Sequence, residues 1–263
     1  MKRYLKLYIK FMAQFWKGLM EYRVDFFVGL FGFLIGQATG ITFIYLIFQR
    51  IPSLNGWSFY QIVFIYGFAQ LPRGLDHLLT DNLWMLSGRI IARGEFDRYL
   101  LRPINPLFHL LAEVIQPDAF GELIVGVILV TTASIKLHIS FSLINIILFI
   151  LLIIFGSIIY TSIKLIFASI AFWIKFSQAV LYMNYQISDF AKYPLSIYSK
   201  WMRVILSFII PFAFTAYYPA GYFVGKVNLK FAVLGTCLVS IIMFSIAYTV
   251  WLMGIKAYES AGS

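Results

Sequence analysis

One cysteine, three histidines and a charged fraction of only 12% are the first features of this 263-residue chain. Cys237 sits within an apolar run and has no second thiol for an internal disulfide or a cysteine metal site. His77, His109 and His138 are dispersed, without the close His or carboxylate spacing of a metal centre, and no G-x-S-x-G nucleophile motif accompanies them. A phosphate loop is missing too. Gly221-Tyr222-Phe223-Val224-Gly225-Lys226 is one residue short between its glycines and has Val227 where a hydroxyl would hold magnesium. No ATP site, cofactor fingerprint or metal set is therefore expected in this chain. The scarcity of charge, against about 25% in soluble domains, also excludes an ordinary water-soluble fold.

What the chain has instead is apolar length. Hydrophobic residues make up 61% of the sequence and the mean hydropathy is +0.85. Dividing the chain into apolar stretches of about 20 residues, the length that crosses hydrocarbon, suggests six crossings in an all-α, polytopic membrane protein with a single transmembrane domain over 1–263. The formal charge of +10 comes from residues at span ends and in short loops. That distribution suits anionic lipid headgroups, and no groove-reading motif points to nucleic acid.

From Met1 to Glu21, Lys2, Lys6, Lys10 and Lys17 fall on one helical stripe and Tyr4, Tyr8, Phe11, Phe15 and Leu19 on another. This predicts an amphipathic helix (1–21) lying on the inner membrane surface, not a secretory signal. The first span follows over Val24–Phe48, with Gly32, Gly36 and Gly40 spaced to bring another helix close, in the same chain or a second one. Trp57–Leu79 reads as the second span, with Arg73, Asp76, His77 and Asp81 expected near the interface at its inner end. The third covers Phe120–Ile135. The fourth runs from Leu143 to about Trp173, roughly 45 Å of helix, longer than the ~30 Å hydrocarbon core, so it must tilt, kink or project. Hydropathy then favours Val204–Tyr218 and Phe231–Gly254. Arg89, Arg93, Arg98 and Arg102 crowd one loop while the loops near Arg50 and Lys136 carry few cations, which predicts a multi-pass cell-membrane protein with cytoplasmic termini.

The charged loop itself, 86–106, is the most distinctive segment. Arg89 and Arg93 are one helical turn apart, Glu95, Asp97, Arg98 and Arg102 supply both signs, and Asn105-Pro106 caps and starts the next helix. Such a segment suits docking into a groove of a cytosolic partner; the alternative is a solvated basic loop that obeys the positive-inside bias.

Gly94-Glu95-Phe96-Asp97-Arg98-Tyr99-Leu100-Leu101-Arg102-Pro103, with Asn105-Pro106, resembles the cytoplasmic motif of type-2 ABC exporter permeases, the membrane-spanning subunits of ABC transporters. Pro194-Leu195-Ser196-Ile197, Trp201 and Pro211 resemble the stretch before that family's last span, so the resemblance covers nearly the whole chain. It implies that the segment between spans two and three is a coupling helix contacting an ATPase, with Arg89, Arg93, Glu95, Asp97, Arg98 and Arg102 in coupling roles. It further implies two copies of a separate ATPase subunit that bind ATP and magnesium, a second permease chain, like or related, and a cargo that is amphipathic. The resemblance also moves span five to about Phe176–Tyr193, placing Asn184, Gln186 and Asp189 on a wet pathway, and folds 194–226 as a re-entrant outer hairpin. Ser199 departs from the family, which often has proline there, and leaves the turn before Trp201 open.

Asp118 and Glu122, four residues apart, share one helical face and suggest either paired carboxylates or plain interface placement. They motivate the alternative of a polytopic enzyme acting on lipid. A non-catalytic membrane scaffold using the glycine face and the basic loop is the third class.

Overall fold

A computed structural model describes residues 2–21 and 23–260 of the chain. Helix α1 (Lys2–Glu21) leads into α2 (Arg23–Phe48) and α3 (Phe59–Thr80). The chain then breaks into α4 (Asn82–Met85), a π-helical turn over Leu86–Ile90, the four-residue α5 (Asp97–Leu100) and α6 (Pro106–Glu113). Next come α7 (Ala119–Lys136), α8 (Leu143–Ser169), α9 (Ala171–Ile174) and α10 (Gln178–Ser188), which tightens into a 3-10 turn over Asp189–Lys192. A second 3-10 turn (Leu195–Ile197), α11 (Lys200–Val204), α12 (Tyr217–Phe223) and α13 (Leu229–Ala257) complete it. Among the described residues every regular element is helical, and Leu54 and Trp57 form an isolated bridge.

Among the described residues four helices are long and apolar enough to cross a membrane: 26–48, 119–136, the 32-residue stretch 143–174, and 229–257. A fifth is reached if the pair 200–209 and 212–223, bent by 76°, counts as one broken span. The expected span over 57–79 forms as helix α3, which falls outside that apolar set and carries Gln61, Gln70, Arg73, Asp76 and His77 among its apolar residues. The expected stretch over 176–193 forms as α10 plus its 3-10 turn, too short a helix to qualify.

α3 is the axis of the molecule. Ser58 starts it with a reciprocal cap, its hydroxyl accepting from Gln61 N while the Gln61 side chain accepts from Ser58 N. It packs most extensively on α7 and then on α8. Lipid supplies no hydrophobic drive between helices, so association depends on close fit and small residues. The fit is made by glycine: a Cβ at Gly67 would come within 2.7 Å of Leu129 Cβ and 3.2 Å of Gly126 O, and one at Gly126 within 2.6 Å of Leu71.

Two aromatic clusters flank this axis. Around the first half of α3, Phe68 meets Phe149 edge-on at 5.2 Å, and Phe223 lies 5.4 Å from Phe149. In the other, fully buried Phe96 stands 5.0 Å from Phe172, 5.8 Å from Trp251 and 5.1 Å from Tyr258. α2 lies at the periphery, with 6% of its apolar window buried.

The expected amphipathic helix forms as α1. Lys6, Lys10 and Lys17 are exposed, Tyr4 packs on Phe108 and Phe11 on His109. The side chains of Lys2, Phe15 and Leu19 lie outside the described residues. Ser199 settles the turn before Trp201 by capping α11, accepting from Met202 N.

Candidate functional site

Ionised side chains are expensive to remove from water, by several kcal/mol each even after relaxation, so a buried one must be paired. The centre of this molecule holds a group of them. Arg73 and Asp76, one turn apart on α3, are both buried, as are Glu122 on α7 and Lys164 on α8. These groups lie among the helices, shielded by protein.

The network has two halves. In one, Lys164 Nζ donates to Asp76 Oδ2 at 2.7 Å and to Asp81 Oδ1 at 3.1 Å, while Thr80 and Thr161 hydroxyls donate to Asp76 Oδ1 at 2.6 and 2.8 Å. In the other, Arg73 bridges Asp189 and stands 3.5 Å from Glu122 Oε1, with its guanidinium 4.3 Å from the centre of the Tyr185 ring. His77 Nδ1 is 3.0 Å from Glu122 Oε2, and its ring stacks on Tyr185. Lys192 Nζ bonds Asp189 at 2.7 Å. Four elements (α3, α7, α8 and the α10 segment) are thus tied by charge.

Asp118 and Glu122 do not act as a pair. Glu122 points to Arg73 and His77, whereas exposed Asp118 precedes α7 and accepts from Gln116 Nε2. The carboxylates therefore lack the shared site that acid–base work on lipid would need.

A cavity of about 20 Å³, enough for a single water, adjoins both halves. Arg73, Asp76, His77 and Lys164 line it on one side and Tyr160, Tyr185 and Asn184 on another. Asn184 is only 6% exposed and its Oδ1 has no partner. Of the three expected pathway residues, Asn184 faces the cavity and Asp189 joins the network beside it. Gln186 is exposed and donates to Tyr182 OH.

The charged loop stands apart from this network but is firmly rooted. Phe96 and Tyr99 are fully buried, and the Tyr99 hydroxyl donates to Glu113. Burial and that carboxylate push the Tyr99 phenol up to about 12. Arg98 bonds Tyr99 OH at 2.7 Å and Glu113 Oε1 at 3.0 Å; Arg89 and Glu95 are 3.5 Å apart; Asp97 Oδ2 accepts from Ser260 Oγ at 2.6 Å. Arg102 Nη1 lies 2.9 Å from His109 Nε2. An arginine can only donate, so this nitrogen accepts, and burial with the adjacent Arg102 charge holds the His109 pKa below its usual value. Arg93 is exposed. Leu101 is 84% exposed and Leu100 43%. The helix expected here shrinks to α5, because Gly94 turns left-handed at φ 70° and Pro103 follows. Asn105 and Pro106 start α6 as expected, with Asn105 Oδ1 accepting from Phe108 N.

On the first span the expected glycine face divides. A Cβ at Gly40 would meet Tyr66 OH at 3.1 Å, while Gly32 and Gly36 face open space within the chain. The close approach of α3 and α7 lies at Gly67 and Gly126 instead. Their spacing carries no small-xxx-small signature, and only the helix crossing reveals them.

Comparison with curated proteins returned no match. A family model described as ABC-2 family transporter protein matches residues 34–262, which includes α3, the charge network and the whole charged loop. With most of the chain covered, and with several apolar helices of spanning length, the protein is a multi-pass membrane transporter component belonging to the ABC-2 family.

Proposed function

We propose that this chain is the permease subunit of an ATP-driven exporter, forming a translocation pathway with a second like or related permease and powered by two copies of a separate ATPase subunit that binds ATP and magnesium. It crosses the cell membrane six times, with α3 and the α10 segment among the crossings, 194–226 re-entrant on the outer side, and both termini cytoplasmic. The chain itself catalyses no reaction. Its cargo is amphipathic: a lipid, a peptide or a drug-like molecule.

The observation that carries this reading is the form of segment 86–106. One side is locked into the helical body through Phe96 and Tyr99, while Leu101, Leu100 and Arg93 project outward. A rooted tip that shows apolar side chains beside cations can push on the bundle when a partner grips it, and the adjacent exposed leucines give that partner an apolar patch to cover. Arg89, Glu95, Asp97, Arg98 and Arg102 hold the segment's shape through contacts within the chain, and Arg93 with the two leucines meets the ATPase.

The test is retention of the ATPase by the purified chain. Leu101→Asp combined with Arg93→Glu should abolish retention and leave the melting temperature unchanged. Full retention by that variant would contradict the assignment of the tip.

A further inference from the structure

The break between α9 and α10 ties α10 to the charged segment. Lys175 is left-handed at φ 65°, and buried Ser177 then anchors the chain: its N donates to Ser87 O at 2.9 Å and its hydroxyl to Ala168 O at 3.3 Å. Gly88 sits so close that a Cβ there would come within 2.8 Å of the Gln178 side chain. Ser87 and Gly88 belong to the π-helical turn that opens segment 86–106. Twelve residues beyond Ser177, about 18 Å along a helix, the far end of α10 delivers Asp189 to Arg73.

That far contact is built to open. Asp76 and Lys164 are both buried, and separating them would strand charges in a low-dielectric interior. Asp189 is different: its side chain is 43% exposed, and it keeps Lys192 as a counter-ion when Arg73 leaves. Arg73 in turn keeps Glu122 and the face of Tyr185. Neither partner is left alone, so the bridge can break without the usual penalty for a buried pair. Arg73 also lines the cavity, together with Ser188, which precedes Asp189, and with Asn184, whose buried Oδ1 has no partner.

We propose that α10 is a lever, held at Ser177 by the coupling segment, and that the Arg73–Asp189 bridge at its other end is a gate closing the polar cavity. Movement imposed on Ser87 and Gly88 tilts α10, parts the bridge and exposes Asn184, Asp76 and the Tyr185 ring to the pathway. The lever rests on the permease reading for what drives it, whereas the gate is a property of this chain alone. Arg73 and Asp189 are positioning residues in this scheme.

The gate is tested on the full chain in nanodiscs, without any ATPase, so its failure is distinct from failure of the permease reading. In a Cys237→Ser background, Asn184→Cys is labelled with a charged methanethiosulfonate reagent. The intact gate should label slowly. Asp189→Asn should label about tenfold faster, the shift in an opening equilibrium expected from losing one charge-assisted bond, and Asp189→Glu should restore slow labelling. Lys192→Gln leaves Asp189 bound to Arg73 alone and should stay slow. Equal labelling in Asp189→Asn and the parent, or a rise in Lys192→Gln as large as in Asp189→Asn, would overturn the gate.

Discussion

Lys164 is the cation on which one half of the charge network depends. Replacing it with methionine leaves Asp76 buried and facing Asp81 without a counter-ion, and should destabilise the protein by about 3–5 kcal/mol. Adding Asp76→Asn should recover much of that loss, because a buried pair removed together strands less charge than one removed singly. Thermal unfolding of the two variants in the same lipid checks this; equal instability would mean that the pair does not act as a unit. A second prediction concerns pH. His109 is held below its ordinary pKa by burial and Arg102, so the unfolded state binds protons more readily than the folded one. Stability from this site is therefore complete above about pH 6.5 and falls as pH drops towards the folded value. Amide exchange in α6 should quicken on acidification, and His109→Gln, which can still accept from Arg102, should flatten the dependence. An unchanged profile in that variant would remove His109 as the cause. The identity of these groups is plain in the sequence, but their pairing is not. The contacts of Arg73 and His77 with Glu122 are invisible there because a hydropathy window scores a charge the same way whether water or a carboxylate faces it.

Among the helices, the spans with long apolar runs are readable from composition: 24–48, 120–135, 143–173 and 231–254 all appear within a few residues of their expected limits. The stretch between residues 175 and 226 is not, because its breaks come from local geometry, namely the left-handed Lys175, the bend after Ile209 and the 3-10 turns. Hydropathy averages across all three. Glycine shows the same gap between pattern and contact. Gly126→Leu should drive a side chain into the α3 backbone and cost about 1–3 kcal/mol or more through overpacking. Gly36→Leu, by contrast, should shift the stability of the single chain by less than about 0.5 kcal/mol, since nothing stands opposite. If the second permease packs on that open face of α2, Gly36→Leu should instead weaken dimerisation, which cross-linking in native membranes reads. Loss of monomer stability in Gly36→Leu would contradict the open placement.

Taken whole, the molecule connects a rooted surface tip to a buried polar centre through a continuous set of contacts. Phe96 and Tyr99 seat the tip, Phe96 touches α13 through Trp251, and the π-helical turn holds α10 through Ser177. α10 reaches the charges on α3. The family assignment covers this entire route, and the proposed permease reading places the ATPase that drives it on a separate protein. Affinity purification of the tagged chain from native membranes, followed by intact-mass determination of the complex and an ATPase assay, tests that dependence. An ATP-binding subunit should co-purify in two copies with two permease chains, and its ATPase activity should lose its response to cargo lipids or peptides when Phe96→Ala unseats the tip. A chain that emerges alone, under conditions that preserve other membrane complexes, would contradict the permease account.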